Sequence, residues 1–370
     1  MSFQRIAIVG VGLIGGSMGL ALKRTGFSGQ IVGVSRPETV ELARELGVID
    51  RGFSYAGMGE ALADCDLIVL CTPIRRILEL LPEVGRHASP GTVISDVGST
   101  KRQIVDGAHR HLRPDLHFIG AHPMAGSEKS GVSAADPFLF QNAIYIVIPP
   151  KDRPDPDSGE SYYDHFLALV RRLGAQIVEL DADLHDRVVA AISHLPQMIA
   201  TSLVRMVGEL NNRNGCFLPL AAGGFRDMTR IASSPFKPVW EDICNTNADQ
   251  VRLMIDRYIQ VLGDVRDRLE QADLVRDFDT ANRIRDSIPR DAKGFIHRLF
   301  ELVVVAEDKP GVIAEIATAL GSEQININDI EIMKVREGVG GTIRLGFDTE
   351  HAAGRALSCL TRIGYQARKL

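Results

Sequence analysis

Over the first 180 residues, short apolar runs rich in β-branched residues alternate with stretches whose apolar positions recur every three to four residues. The runs are Arg5–Val9, Gln30–Val34, Leu67–Cys71, Thr92–Ser95, Phe118–Ala121, Ala143–Ile148 and Gln176–Leu180. Strands apolar on both faces and separated by helices predict a parallel sheet covered on both sides. The stretch from Pro149 to Asp157 carries four prolines and continues neither element, so it reads as a surface loop within this domain. From about 183 to 287 the strand signals stop. Long helical windows, Leu184–Leu210 and the charge-studded Asn247–Glu270, predict an all-helical domain. Pro and Gly among charges from Ser287 to Gly294 read as a linker.

After the linker the pattern changes class again: strand Phe300–Ala306, helix Gly311–Leu320, strands Asn326–Val335 and Gly341–Phe347, helix Ala352–Ile363 and strand Tyr365–Lys369. That βαββαβ order predicts a ferredoxin-like unit. The expected fold is an α/β Rossmann dinucleotide-binding domain over 1–181, an all-α domain over 182–289 and the ferredoxin-like domain over 297–370. A length of 370 residues agrees, because single cores stop growing near ~250–300 residues.

Composition excludes some classes of function. Hydrophobic residues at 45% and charged residues at 24% are ordinary soluble-globular values, and a net charge of -5 gives no reason to expect polyanions as partners. Nucleic acid is not an expected partner. The N-terminus runs straight into a strand without a basic leader, and no span of ~20 apolar residues follows. A cytoplasmic protein without membrane contact is expected. Cys65, Cys71, Cys216, Cys244 and Cys359 form no Cys-x-x-Cys pair and have no His at metal-ligand spacing. They read as reduced, mostly buried thiols, and no metal site is expected.

Gly10-Val11-Gly12-Leu13-Ile14-Gly15 lies between the first strand and the first helix. There the first glycine makes a tight turn, the second admits a pyrophosphate to the backbone, and the third lets helix pack on strand. The expected cofactor is a nicotinamide dinucleotide, with Gly10, Gly12, Leu13, Ile14, Gly15, Thr72 and Pro73 in its site. The second strand ends Gly33-Val34-Ser35-Arg36, where an Asp or Glu would hold the ribose hydroxyls of NAD. Ser35 and Arg36 suit a 2′-phosphate and lean the expectation to NADP, while Arg stacking on adenine keeps NAD open.

Three further constellations carry chemistry: Asp96-Val97-Gly98-Ser99-Thr100-Lys101; His122-Pro123-Met124-Ala125-Gly126-Ser127-Glu128-Lys129-Ser130-Gly131; and Gly224-Phe225-Arg226-Asp227-Met228-Thr229-Arg230. With Leu184-His185-Asp186 and Ser193-His194-Leu195-Pro196 they resemble the prephenate and arogenate dehydrogenase family over residues 4–285. The resemblance implies oxidative decarboxylation of prephenate to 4-hydroxyphenylpyruvate on the route to tyrosine, or of its transaminated form, arogenate, in a homodimer.

By the same resemblance His122 is the base that takes the proton of the substrate's C4 hydroxyl, and an imidazole is neutral and basic near neutral pH. Ser99 orients it and the C4 oxygen, and the same serine can also cap the helix expected to begin at Lys101. Arg230 pairs with a substrate carboxylate, its alternative being a salt bridge with Asp227. Glu128 and Asp227 hold the pocket's polar network. Lys101 and Arg226 read as ordinary surface charges. Many relatives carry a second His three residues after His194, where this chain has Gln197, a neutral donor to the substrate side chain. His194 itself reads as a helix-packing residue. A general 3-hydroxyacid dehydrogenase would use a helical-domain Lys that 191–203 lacks, and a non-catalytic amino-acid sensor is the remaining alternative.

Residues 300–370 resemble an ACT domain, through Asp308-Lys309-Pro310-Gly311-Val312 and Ile325-Asn326-Ile327-Asn328. The resemblance implies an amino-acid effector, tyrosine being the expected one, at Asp308, Gly311 and Asn326, or else a silent dimerisation module.

Overall fold

The computed structural model describes all residues except 1–2, 127–128, 152–160, 271–272, 289–298, 307–308, 337–339 and 370. The chain divides into two compact units, Met1–Ala272 and Asp273–Leu370. The first opens with β1 (Arg5–Val9), α1 (Leu13–Arg24), β2 (Gln30–Val34), α2 (Pro37–Glu45), β3 (Arg51–Phe53), α3 (Met58–Leu62) and β4 (Leu67–Leu70). It continues with α4 (Ile74–His87), β5 (Val93–Asp96), α5 (Arg102–His111), β6 (His117–Pro123), β7 (Ile144–Ile148), α6 (Tyr162–Arg172) and β8 (Gln176–Glu179).

These strands form one sheet in the order β3-β2-β1-β4-β5-β6-β7-β8. The pairs from β3 across to β6 are parallel. β7 runs antiparallel to β6, which corrects the expectation of a parallel sheet at that one pair. The cause is the connection: a parallel return needs a crossover of a dozen or more residues, usually a helix. Between Pro123 and Ile144 the described residues form turns and no helix longer than the three-residue Val132–Ala134. The strand β3, three residues with a central glycine, is too short to register in the apolar pattern.

Alternation along β1 sends Ile6 and Ile8 into the core on one face of the sheet and Ala7 and Val9 into the core on the other. Each fully buried isoleucine contributes about 1.5–3 kcal/mol. The helices follow as α7 (Ala182–Val189), α8 (Leu195–Asn214), α9 (Gly223–Thr229), α10 (Glu241–Thr246) and α11 (Ala248–Arg268). A wide π-type turn, Ala190–His194, interrupts the single helix expected over Leu184–Leu210. Pro196, with no amide to donate, stands in the first turn of α8 beyond it. Ile243 of α10 joins the core beneath α4, and Asp242 Oδ2 accepts the Arg75 amide of α4 at 3.0 Å. Sheet and helices of this unit are thereby tied together.

The second unit holds α12 (Val275–Ser287), β9 (Phe300–Ala306), α13 (Val312–Ser322), β10 (Asp329–Arg336), β11 (Gly340–Phe347), α14 (Glu350–Arg362) and β12 (Ala367–Lys369). Its sheet has the order β10-β11-β9-β12, antiparallel throughout, as a βαββαβ unit requires. Leu302, Val304, Ile316, Leu345, Phe347 and Leu360 fill its core. Gly311 caps α13 with φ +93°, a conformation that glycine adopts without strain. Asn326 is exposed, and Asp308 lies outside the described residues, as do most of the loop after Pro149 and of the linker after Ser287.

Cys65 and Cys359 are buried, Cys71 and Cys244 half-buried, and Cys216 is exposed, which corrects the mostly buried reading for that residue. Among the described residues no helix is long and apolar enough to cross a membrane.

Candidate active site

The glycine turn shows a separate physical role for each glycine. Gly10 has φ +97°, and a Cβ there would lie 2.7 Å from the Cys71 carbonyl oxygen and from Thr72 Cγ2. A Cβ on Gly15 would meet the Gly10 carbonyl oxygen at 2.3 Å, so helix and strand close only on hydrogen. Around Gly12 nothing lies within 4 Å of that position. Gly12 is also the N-cap of α1 and offers no side chain to its first amides, those of Leu13, Ile14 and Gly15. Free amides at a helix N-terminus beside open space form an anion cradle.

Thr72, at the neighbouring strand end, has its buried Oγ1 without a protein partner, and Pro73 caps α4. An orphaned hydroxyl and an open backbone on one sheet edge fit a dinucleotide. At the tip of β2, Ser35 is buried and Arg36 is exposed, 3.4 Å from Glu38. The Arg76 guanidinium lies 5.1 Å above the Tyr55 ring.

Three strands further along the same edge, β6 delivers His122. Its pairing with β5 ends at Ile119, and two side chains replace the ladder for Ala121. Asp96 Oδ1 accepts the Ala121 amide at 3.1 Å, and Lys101 Nζ donates to the Ala121 carbonyl at 2.7 Å. Lys101 also pairs with Asp96, and both side chains are fully buried. Burial lowers the ammonium below its ordinary pKa, with Asp96 pulling the other way. Lys101 is therefore a structural cation fixing the backbone next to His122, not the surface charge expected from sequence. Position predicts this poorly; the signal available is an Asp and a Lys bracketing one tight glycine turn.

From His122 a chain of contacts leads into the helices. His122 Nδ1 lies 2.9 Å from His185 Nε2, and His185 Nδ1 lies 2.8 Å from Asp186 Oδ1. Asp186 is saturated: Oδ1 accepts the Lys101 amide at 2.7 Å, while Oδ2 accepts the Arg102 amide at 3.0 Å and Arg102 Nε at 3.2 Å. The carboxylate of α7 thus caps α5, which begins at Arg102, so Ser99 is not its cap. Burial pushes the Asp186 carboxyl up, but the bonds from His185 and the two amides outweigh it and hold it below the ordinary range. For His122 burial comes first, and His185, Lys101 and His194 add to it, leaving its pKa well below that of free imidazole. A neutral base results. Arg102 reaches on to Asn247 at 3.1 Å and Asp249 at 2.5 Å, and Asn247 donates to the Asp186 carbonyl at 2.8 Å.

The remaining candidates divide. Ser99 is half-buried on the turn between Asp96 and Lys101. Gln197, on the first turn of α8, is buried and donates to Thr201 Oγ1 at 3.2 Å. His194 is buried, 3.3 Å from Asn247 and edge-on to Trp240, and burial lowers its pKa to about 4. Arg230 opens a short turn packed against α8, and both it and Asp227 are exposed. Glu128 lies outside the described residues. His185 and Asp186 were not among the site residues expected; an adjacent His-Asp pair opening the helical domain was their only mark.

Comparison with known proteins decides the family. Residues 18–178 match the model described as prephenate dehydrogenase, nucleotide-binding domain, 181–280 that of its dimerization domain, and 300–356 an ACT domain. The chain is 38% identical over 362 residues to the prephenate dehydrogenase of Bacillus subtilis, covering 96% of this chain and 95% of that protein. The chain belongs to the prephenate dehydrogenase family. The Lactococcus lactis member is 31% identical, with 93% of this chain and 94% of that one covered. Among solved structures, prephenate dehydrogenase from A. aeolicus in complex with hydroxyphenyl propionate and NAD+ superimposes with TM-score 0.69 at 30% identity, covering 77% of this chain and 98% of that one. Synechocystis arogenate dehydrogenase gives 0.66 at 30%, covering 76% and 99%. The domain so described as nucleotide-binding carries the open turn at Gly12, and His122 stands on the same edge of its sheet.

Proposed function

We propose that this chain oxidatively decarboxylates prephenate to 4-hydroxyphenylpyruvate with NAD+ or NADP+, in the cytoplasm, as a homodimer whose C-terminal ACT domain senses tyrosine through Gly311, Asn326 and Asp308. The observation that carries the reading is a half-buried imidazole, hydrogen-bonded to His185, on the sheet edge that also carries the open glycine turn. The bound nicotinamide supplies the hydride acceptor. His122 takes the C4-hydroxyl proton as the C4 hydride departs. That leaves a carbonyl at C4; when CO2 leaves C1, the electrons of the broken C–C bond make the ring aromatic and become the charge of a phenolate, which takes the proton back from His122. Arg230 pairs with a substrate carboxylate, a charge-assisted bond whose loss costs about 1.5–3 kcal/mol. Ser99 orients the C4 oxygen, and Asp227 and Glu128 order the pocket's polar groups.

Arogenate is the second reading, supported by Gln197, a neutral side chain held by Thr201 where relatives carry a His. Ser35 and Arg36 favour NADP+, β2 itself ending without an Asp or Glu and Arg36 being paired with Glu38 of the following helix. Rates for both substrates with both cofactors, with and without tyrosine, test all of these together. Prephenate is expected to give reduced cofactor, CO2 and 4-hydroxyphenylpyruvate in equal amounts. No reduced cofactor from either substrate overturns the reading.

A further inference from the structure

We propose that His185 and Asp186 are positioning residues that hold His122 as its Nδ1–H tautomer, leave Nε2 as the proton-accepting atom, and take up the positive charge that catalysis creates. The proposal deepens the function above and rests on His122 being its base.

The argument runs inward from the fixed donors. The amides of Lys101 and Arg102 can only donate, as can the Arg102 guanidinium, and all three point at the Asp186 oxygens. Asp186 therefore accepts only and stays ionised, so His185 Nδ1, 2.8 Å from Oδ1, carries a hydrogen. Arg102 already offsets the Asp186 charge, and a second buried cation between Lys101 and Arg102 is unfavourable, so His185 is neutral at rest. A neutral ring protonated on Nδ1 has its lone pair on Nε2, and that atom lies 2.9 Å from His122 Nδ1. His122 Nδ1 must then be the donor. Its own lone pair is on Nε2, the ring nitrogen that faces away from His185.

The same chain gives the proton a path without net loss or gain. As Nε2 of His122 takes the C4-hydroxyl proton, Nδ1 passes its hydrogen to His185 Nε2, and the cation rests on His185 against Asp186. When CO2 has left and the phenol oxygen needs its proton, both transfers reverse. Lys101, Arg102, His185 and His194 disfavour a proton on His122, and Asp96 and Asp186 favour one. Of these, Asp186 alone receives a hydrogen bond through the relay.

Three readouts test this. In protein labelled with 15N at histidine, without substrate, the His122 ring is expected to show Nδ1 protonated and Nε2 bare; the opposite tautomer overturns the proposal whether or not prephenate turns over. His185→Gln and His185→Met have side chains of equal length, but only Gln can accept from His122 Nδ1. His185→Gln keeps the acceptor for His122 Nδ1 but cannot take its proton, so kcat is expected to fall about tenfold; His185→Met, with neither the acceptor nor the base, is expected to lose about 10²–10³-fold, with KM little changed in both. Equal kcat in the two variants makes His185 a packing residue only. Asp186→Asn removes an anion from the relay, so the acid limb of the kcat/KM profile moves to lower pH as kcat falls. A limb that stays in place removes Asp186 from the relay.

Discussion

The two ends of the catalytic sheet edge are built in opposite ways. At β1 the nucleotide cradle is almost all backbone: one positive φ, one helix start and one close approach, carried by consecutive residues from Gly10 to Gly15. At β6 the base is held by side chains from distant segments, Asp96 and Lys101 before it and His185, Asp186, His194, Asn247 and Asp249 far beyond. A backbone site tolerates change wherever the ligand alone would notice. A buried side-chain network does not, because each group removed strands another in low dielectric.

That contrast breaks most visibly at Asp96. Asp96→Asn leaves the Lys101 ammonium buried without its anion, and urea unfolding is expected to show a loss of about 3–5 kcal/mol. Replacing Lys101 by Met in the same chain is expected to recover most of it. A loss under about 1 kcal/mol would show that the pair is solvated.

Acid should find the same region next. His194 has a folded pKa of about 4, and that of His122 is also lowered, both by burial. Each ring titrates near 6.5 in the unfolded chain. Between those values the unfolded state binds more protons, so stability is present at pH 7 and is lost as pH falls from 6.5 towards 4. His194 alone accounts for on the order of 3 kcal/mol of this. His194→Asn is expected to flatten the decline of Tm between pH 7 and 5; an unchanged slope assigns it to other groups.

Within the cradle the glycines should separate. Gly15→Ala forces a methyl to 2.3 Å from the Gly10 carbonyl and is expected to cost about 1–3 kcal/mol. Gly12→Ala meets nothing and should leave Tm unchanged while raising KM for the dinucleotide several-fold. Equal Tm losses would mean that Gly12 is not the open position. The smallest effect belongs to the network's outer end: Asp249, with a side chain 58% exposed, pairs with Arg102 where water screens it. Asp249→Asn should cost about 0.2–1 kcal/mol, less in high salt.

The same contrast explains what the sequence makes legible. Gly10-x-Gly12-x-x-Gly15 announces its role because a strand, a turn and a helix start must be consecutive, and the apolar runs placed seven of the eight strands of the first sheet. The antiparallel β7 was hidden because an apolar run has no direction; only the missing crossover helix sets it. His122 stood out within its motif, but its partners could not. Lys101 reads like any charged residue until Asp96 and the Ala121 carbonyl are seen around it. His185 and Asp186 become site residues only when α7 is laid against the start of α5. Arg230 and Asp227, exposed on α9 and the turn after it, owe their assignment to family resemblance and not to enclosure within this chain.

The most direct measurement is the turnover of His122→Asn with prephenate, beside its affinity for substrate and dinucleotide. With the cradle intact and the base removed, kcat is expected to fall about 10²–10⁴-fold while both ligands bind as in the wild type. Wild-type turnover in that variant would contradict a proton-accepting role for His122 and, with it, the relay behind it.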